Sequence, residues 1–169
     1  PLESLAAWAS REGAPVDGQV TSWLDRLARR RAPFAGLSLD RPRLMGVLNV
    51  TPDSFADGGV YREAEAAIAH GRRMIASGAD IVDIGGESTR PHASFVSVEE
   101  ELDRVRPVIT GLSGAGVPIS IDTRRARVMA AALDAGAGLV NDVSALSFDP
   151  DSLALVAERG VPVVLMHMP

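Results

Sequence analysis

The sequence contains no cysteine, so no disulfide framework holds the chain together. No apolar run approaches the ~20 residues that span a bilayer, and the start Pro1-Leu2-Glu3-Ser4 lacks a basic segment followed by an apolar one. These absences point to a cytoplasmic protein without a membrane partner. Basic charge is also scarce: the formal net charge is −5, and the arginines at Arg29 to Arg31 and Arg124 to Arg127 form only short runs in helix-like surroundings. Nothing there could neutralise many phosphates, which argues against a nucleic-acid partner. No Gly-Lys-Ser/Thr follows the glycines, so there is no P-loop. Histidines and carboxylates are not clustered as a tight metal site would need; His70 falls within a helical pattern, His92 in a loop and only His167 at a strand end.

What is present is an ordinary core-forming composition, 46% apolar and 4% aromatic over 169 residues, enough for one domain with a sizeable core. Residues 1–36 read as an N-terminal helical extension. Val20, Trp23, Leu24 and Leu27 recur at helical spacing between Asp17-Gly18 and the Arg29-Arg30-Arg31 run, which predicts an amphipathic helix from about Gly18 to Arg30. Trp8 and Trp23 are expected to pack into a core. Phe34 to Leu39 is expected to form one arm of a small hairpin.

From Leu44 the chain alternates. Predicted strands are Leu44 to Val50, Asp80 to Ile84, Pro118 to Ile121, Leu139 to Asp142 and Pro162 to Met166. Predicted helices between them run at about Arg62 to Ala76, Val98 to Leu112, Arg124 to Ala135 and Pro150 to Glu158. Ser97 with Glu100 makes a capping box, Asp149-Pro150 reads as an N-cap with Pro at the first helical position, and Gly78, Gly136 and Gly160 stand at expected C-terminal caps. Apolar strands alternating with amphipathic helices imply a parallel sheet covered by helices. Asn49, the Glu87-Ser88-Thr89-Arg90 cluster, Asp122, Asn141 and His167 lie at or just past the C-terminal ends of the successive strands. A (β/α)8 barrel gathers all such ends around one pocket, whereas an open sheet uses only those at its switch point. The expected fold is therefore an α/β (β/α)8 TIM barrel, with its first five strands in residues 37–169. The chain starts without Met and stops at Met166-His167-Met168-Pro169, just after an apolar run, so it is expected to be part of a longer protein, truncated before strand six.

Asp122 offers a carboxylate acceptor and Asn141 an amide donor and acceptor, a pair suited to a planar heterocycle carrying amino and ring N–H groups. For Asp122 the alternative is a cap on the helix starting near Arg124; Asn141 on the adjacent strand favours the ligand. Asn49 is uncharged, so as a metal ligand it suits only a weak site, such as magnesium that keeps waters and binds mainly through substrate phosphate.

The strings Met45 to Gly59, MGVLNVTPDSFADGG, and Gly78 to Pro91, GADIVDIGGESTRP, closely resemble the two signature segments of the dihydropteroate synthase family. ISIDT, GLVNDVS and VVLMHM are similar to its third, fourth and fifth strands, in order. The resemblance implies a pterin-binding barrel of folate biosynthesis that joins p-aminobenzoate to 6-hydroxymethyl-7,8-dihydropterin pyrophosphate, releasing pyrophosphate; sulfonamides target such enzymes. It implies Mg2+ held by Asn49, a pterin ring bound by Asp122 and Asn141 with Val143 and Met166 lining its slot, and a p-aminobenzoate site formed by Phe55, Thr89 and Pro91 with Arg90 beside them. It implies a homodimer for the full-length protein. His92-Ala93-Ser94-Phe95 departs from the family's small, Gly-containing turn. The family's later strands supply a second pterin-binding carboxylate, a lysine and an Arg-x-His anion site, none of them in this chain, so the chain by itself is expected to be inactive. A non-catalytic paralogue or interaction module and a pterin-binding methyltransferase domain are the alternatives.

Overall fold

The computed structural model describes residues 18–29, 31–50, 59–88 and 95–167. They fall into two compact units, one comprising 1–33 and 37–41, the other 34–36 and 42–169.

In the first unit, helix α1 spans Gly18–Ala28, close to its predicted range. Its Trp23 is 58% exposed and Leu27 65%. The expectation of a core tryptophan fails for Trp23, because the described residues of this unit form one helix and no sheet to receive the ring. Trp8 lies outside the described residues. The predicted hairpin arm at Phe34 to Leu39 is not a strand: Ala35 and Gly36 both take positive φ, 49° and 78°, in a tight turn.

The second unit alternates without exception: β1 (Met45–Asn49), α2 (Gly59–Ala76), β2 (Ile81–Gly85), α3 (Val98–Leu112), β3 (Ile119–Asp122), α4 (Ala126–Asp134), β4 (Leu139–Asp142), α5 (Ser152–Arg159) and β5 (Val163–Leu165). All neighbouring strands pair in parallel, in the order β1-β2-β3-β4-β5. Sequential order without a reversal is what a barrel wall requires and what a doubly wound sheet lacks.

Period-two alternation assigns the two faces. Leu48, Val82, Ile84, Ile119, Ile121 and Val140 turn to the helices and form the core with Val105, Val108, Ile109, Leu112, Val128 and Met129. The other face is more polar than the sequence suggested. Asp83 and Ser120 sit on it at neighbouring register positions, 2% and 0% exposed.

The predicted capping box is present: Glu100 N–H donates to Ser97 Oγ at 3.2 Å and Ser97 N–H to Glu100 Oε2 at 2.8 Å. Gly78, Gly136 and Gly160 end their helices with φ of 102°, 112° and 60°. The Asp149-Pro150 cap is not formed as expected. Asp151 is the N-cap of α5, without a side-chain cap bond; Asp149 accepts from Asp151 N–H through Oδ1 at 3.0 Å and, through Oδ2, from Ala126 N–H at 2.9 Å at the start of α4. Asp80 is a second staple between units of the repeat, taking Leu44 N–H at 2.9 Å and Arg43 Nη1 at 3.1 Å.

Gly86 is a point of close packing between the end of β2 and α3. A Cβ there would lie 2.8 Å from Val105 Cγ1, 3.1 Å from Glu101 Cγ and 3.2 Å from the Glu101 carbonyl oxygen. Gly86→Ala is expected to destabilise the protein by about 1–3 kcal/mol through overpacking, measured by urea unfolding. Gly138→Ala, where nothing lies within 4 Å, should change little.

Candidate functional site

Strand register builds the site. Asn49 pairs with Gly85, Gly85 with Asp122, Asp122 with Asn141 and Asn141 with Val164, a single row along the C-terminal ends of all five strands. Gly85 leaves a gap in that row. A Cβ on it would sit 3.5 Å from both Asn49 Oδ1 and Asp122 Oδ2, so the glycine keeps open the space between the two oxygens.

Asn49 is exposed at the end of β1, and Asp122 is half-buried at the end of β3. Neither side chain is hydrogen-bonded to another described residue. The capping alternative for Asp122 is not realised: α4 starts with Arg125 as N-cap without a side-chain cap bond, and Arg125 N–H donates to Thr123 Oγ1 at 3.3 Å. Burial first, then the nearby Asp83, Glu101 and Asp142 carboxylates, push the Asp122 carboxyl up to about 7. Asn141, 4% exposed, donates through Nδ2 to Asp83 Oδ2 at 2.9 Å. Its Oδ1 is buried and has no partner.

Asp83 escaped the sequence reading, although a carboxylate within an otherwise apolar strand was the signal available. Burial raises its pKa. Its contact with Asn141 joins alternate strands, β2 and β4, across the small Ser120 of β3. Strands two apart are separated by about 10 Å in a flat sheet, so this contact reflects inward curvature, and side chains layered from alternate strands are a barrel property.

A second buried network lies just behind the row. Arg125 donates from Nη1 to Glu101 Oε2 at 2.6 Å and from Nη2 to Glu87 Oε1 at 2.9 Å, with side-chain exposures of 7%, 0% and 8% for Arg125, Glu101 and Glu87. Arg124 reaches Glu87 Oε2 at 3.3 Å and stacks on Phe148, 4.0 Å from the ring centroid. Burial holds Glu101 above its ordinary carboxylate value even with the guanidinium beside it. Glu87, read from the sequence as part of the polar ring, is thus committed to arginines.

Val143 and Met166 are both partly buried, Met166 donating its N–H to the Asp142 carbonyl at 3.1 Å. His167 is exposed past β5 and does not join the row. Phe55, Thr89, Arg90, Pro91 and His92 lie outside the described residues.

The sequence profile of the family described as pterin binding enzyme matches residues 45–169, nearly all of the strand-and-helix unit. The chain belongs to the pterin-binding enzyme family. It is 59% identical to a dihydropteroate synthase of Xanthomonas albilineans solved with 4-aminobenzoic acid, with a TM-score of 0.75, covering 80% of this chain and 50% of that one. A structure of the X. albilineans synthase in complex with 7,8-dihydropteroate gives 56% identity and a TM-score of 0.70, covering 79% and 48%. The dihydropteroate synthase of Neisseria meningitidis serogroup C is 49% identical over 134 residues, 78% of this chain and 47% of the relative. The chain therefore spans about half the length of these relatives. For this pterin-binding barrel the sequential five-strand sheet is the fold the resemblance implied. No helix among the described residues is long and apolar enough to cross a membrane, and no group of three or more His, Cys, Asp or Glu among them could hold a metal ion.

The Glu87–Arg125–Glu101 triad fixes the root of β2 to α3 and α4. Arg125→Ala would leave the buried Glu101 without its cation and Glu87 with Arg124 alone, an expected loss of about 3–5 kcal/mol in unfolding free energy, read from urea denaturation of the full-length gene product.

Proposed function

We propose that the full-length gene product is a dihydropteroate synthase, joining p-aminobenzoate to 6-hydroxymethyl-7,8-dihydropterin pyrophosphate. The observation that carries this reading is the pair of unpartnered acceptors at adjacent strand ends, the Asp122 carboxylate and Asn141 Oδ1, in a row where Gly85 places no side chain beside Asp122. The synthases named above, at 49–59% identity, support the same chemistry. In the reaction the amine nitrogen attacks the pterin methylene carbon; the C–N bond forms as the C–O bond breaks, pyrophosphate leaves with the electron pair and the amine loses a proton. Such a step is served by positioning and by stabilising the leaving group more than by acid–base groups.

Within this reading Asp122 and Asn141 accept from the pterin ring, Val143 and Met166 line its slot, and Phe55, Thr89, Arg90 and Pro91 serve the p-aminobenzoate side. Asn49 Oδ1 is a neutral, exposed oxygen without a hydrogen-bond partner among the described residues. That donor fits a magnesium ion that keeps most of its waters and is held chiefly by pyrophosphate oxygens. When bound, the ion would neutralise charge on the leaving pyrophosphate. A cytoplasmic homodimer open to sulfonamide inhibition belongs to the same reading and rests on the family resemblance.

The full-length product is expected to release pyrophosphate only when p-aminobenzoate and the dihydropterin pyrophosphate are both present. A protein that binds the pterin without release would instead be a non-catalytic paralogue.

Asp122→Ala should lower pterin affinity by about 1.5–3 kcal/mol, and unchanged binding by calorimetry would remove Asp122 from the site. An acid held near 7 in the empty pocket keeps its proton below that pH, and only the ionised form accepts two N–H donors. Pterin affinity should therefore fall toward tenfold per pH unit below about 7, level off above it, and lose this dependence in Asp122→Asn. By the same sign, ionisation of Asp122 opposes folding as pH rises from the ordinary carboxylate value of 3.8 to about 7, and stability is indifferent to it above.

A further inference from the structure

Among the described residues, Asp83 is hydrogen-bonded to the strand-end row through Asn141. A carboxylate accepts and does not donate, whereas a primary amide has one edge of each kind. With Nδ2 committed to Asp83 Oδ2 at 2.9 Å, the amide cannot turn over without setting two acceptors against each other. Its other edge, Oδ1, is left buried and unpartnered in the row beside Asp122. Both partners are at least nineteen-twentieths buried, at 2% and 4% exposure, so water cannot readily substitute for either group. Ser120, the residue between them on β3, is too short to displace the amide.

We propose that Asp83 is a specificity-determining positioning residue: its hydrogen bond fixes the polarity of the Asn141 amide, so that the site presents an acceptor and selects a ring edge carrying an N–H donor. This rests on the reading of Asp122 and Asn141 as the pterin-binding pair. It assigns to a residue remote from the ligand the choice between a 2-amino ring and the same ring with an oxo group in that place, since the oxo oxygen would face Asn141 Oδ1 with no proton between them.

The test uses the full-length gene product and two probes, 6-hydroxymethyl-7,8-dihydropterin and its 2-oxo (lumazine) counterpart, with dissociation constants from calorimetry. The unmodified protein should prefer the amino ring. In Asp83→Asn the neighbour either donates or accepts, the Asn141 amide is free to turn over, and the preference should shrink on the order of tenfold or more, with binding of the oxo ring tightening. Asp83→Thr, whose hydroxyl also donates or accepts, should act in the same direction and replaces Asp83→Asn if that variant does not fold. In an Asn141→Ala background Asp83→Asn should leave the ratio unchanged, because its effect passes through the amide. A merely structural role would weaken both probes in parallel at constant ratio, and that result, or an equal shift in the Asn141→Ala background, overturns the proposal. If the unmodified protein binds neither probe, the underlying pterin reading fails instead.

Discussion

Everything at the site depends on parallel pairing in strict sequence order. Because side chains alternate faces with period two, a register that matches Asn49 to Gly85, Gly85 to Asp122 and Asp122 to Asn141 puts all four on one face at one height. A slip of one residue on any strand would turn its contribution into the helix layer. The hydrophobic set that holds the register, with Leu48, Ile84, Ile121 and Val140 buried on the opposite face, therefore positions the polar set without touching it.

The polar face is divided by depth. At the rim, Asn49 and Asp122 keep free oxygens on either side of a glycine gap. One layer down, Asp83 and Ser120 are buried, and Asp83 accepts from Asn141. Beside the row, Arg125 bridges two carboxylates and gives the base of the second loop a fixed root. Among the described residues of this face, the rim has the unused hydrogen-bonding capacity in contact with solvent, which is what the proposed ligand site requires.

The sequence made the strand-and-helix alternation legible because each boundary had its own chemistry: the Ser97–Glu100 box and the positive-φ glycines are local devices that report on local structure. Asn49, Asp122 and Asn141 stood out as polar ends on apolar runs. What stayed hidden was non-local. The capping target of Asp149 is 23 residues away, the partner of Asp83 is 58 away, and neither distance has a one-dimensional signature. The packing of Val105 against Gly86 was equally hidden, because spacing in sequence says nothing about it. Trp23 was misjudged because amphipathic spacing marks a face without identifying what covers it.

The carboxylate of Asp149 bears on modularity. It belongs to the loop after β4, yet it closes the first turn of α4, the helix that precedes β4; Arg159 at the end of α5 likewise reaches back to Asp134 at the end of α4, at 2.8 Å. The α4 helix is thus completed at both ends by the pair that follows it. Such a chain does not behave as a stack of interchangeable cassettes: a pair cut out and grafted elsewhere would carry an unfinished helix end, and the fold gains or loses its pairs in an interlocked sequence.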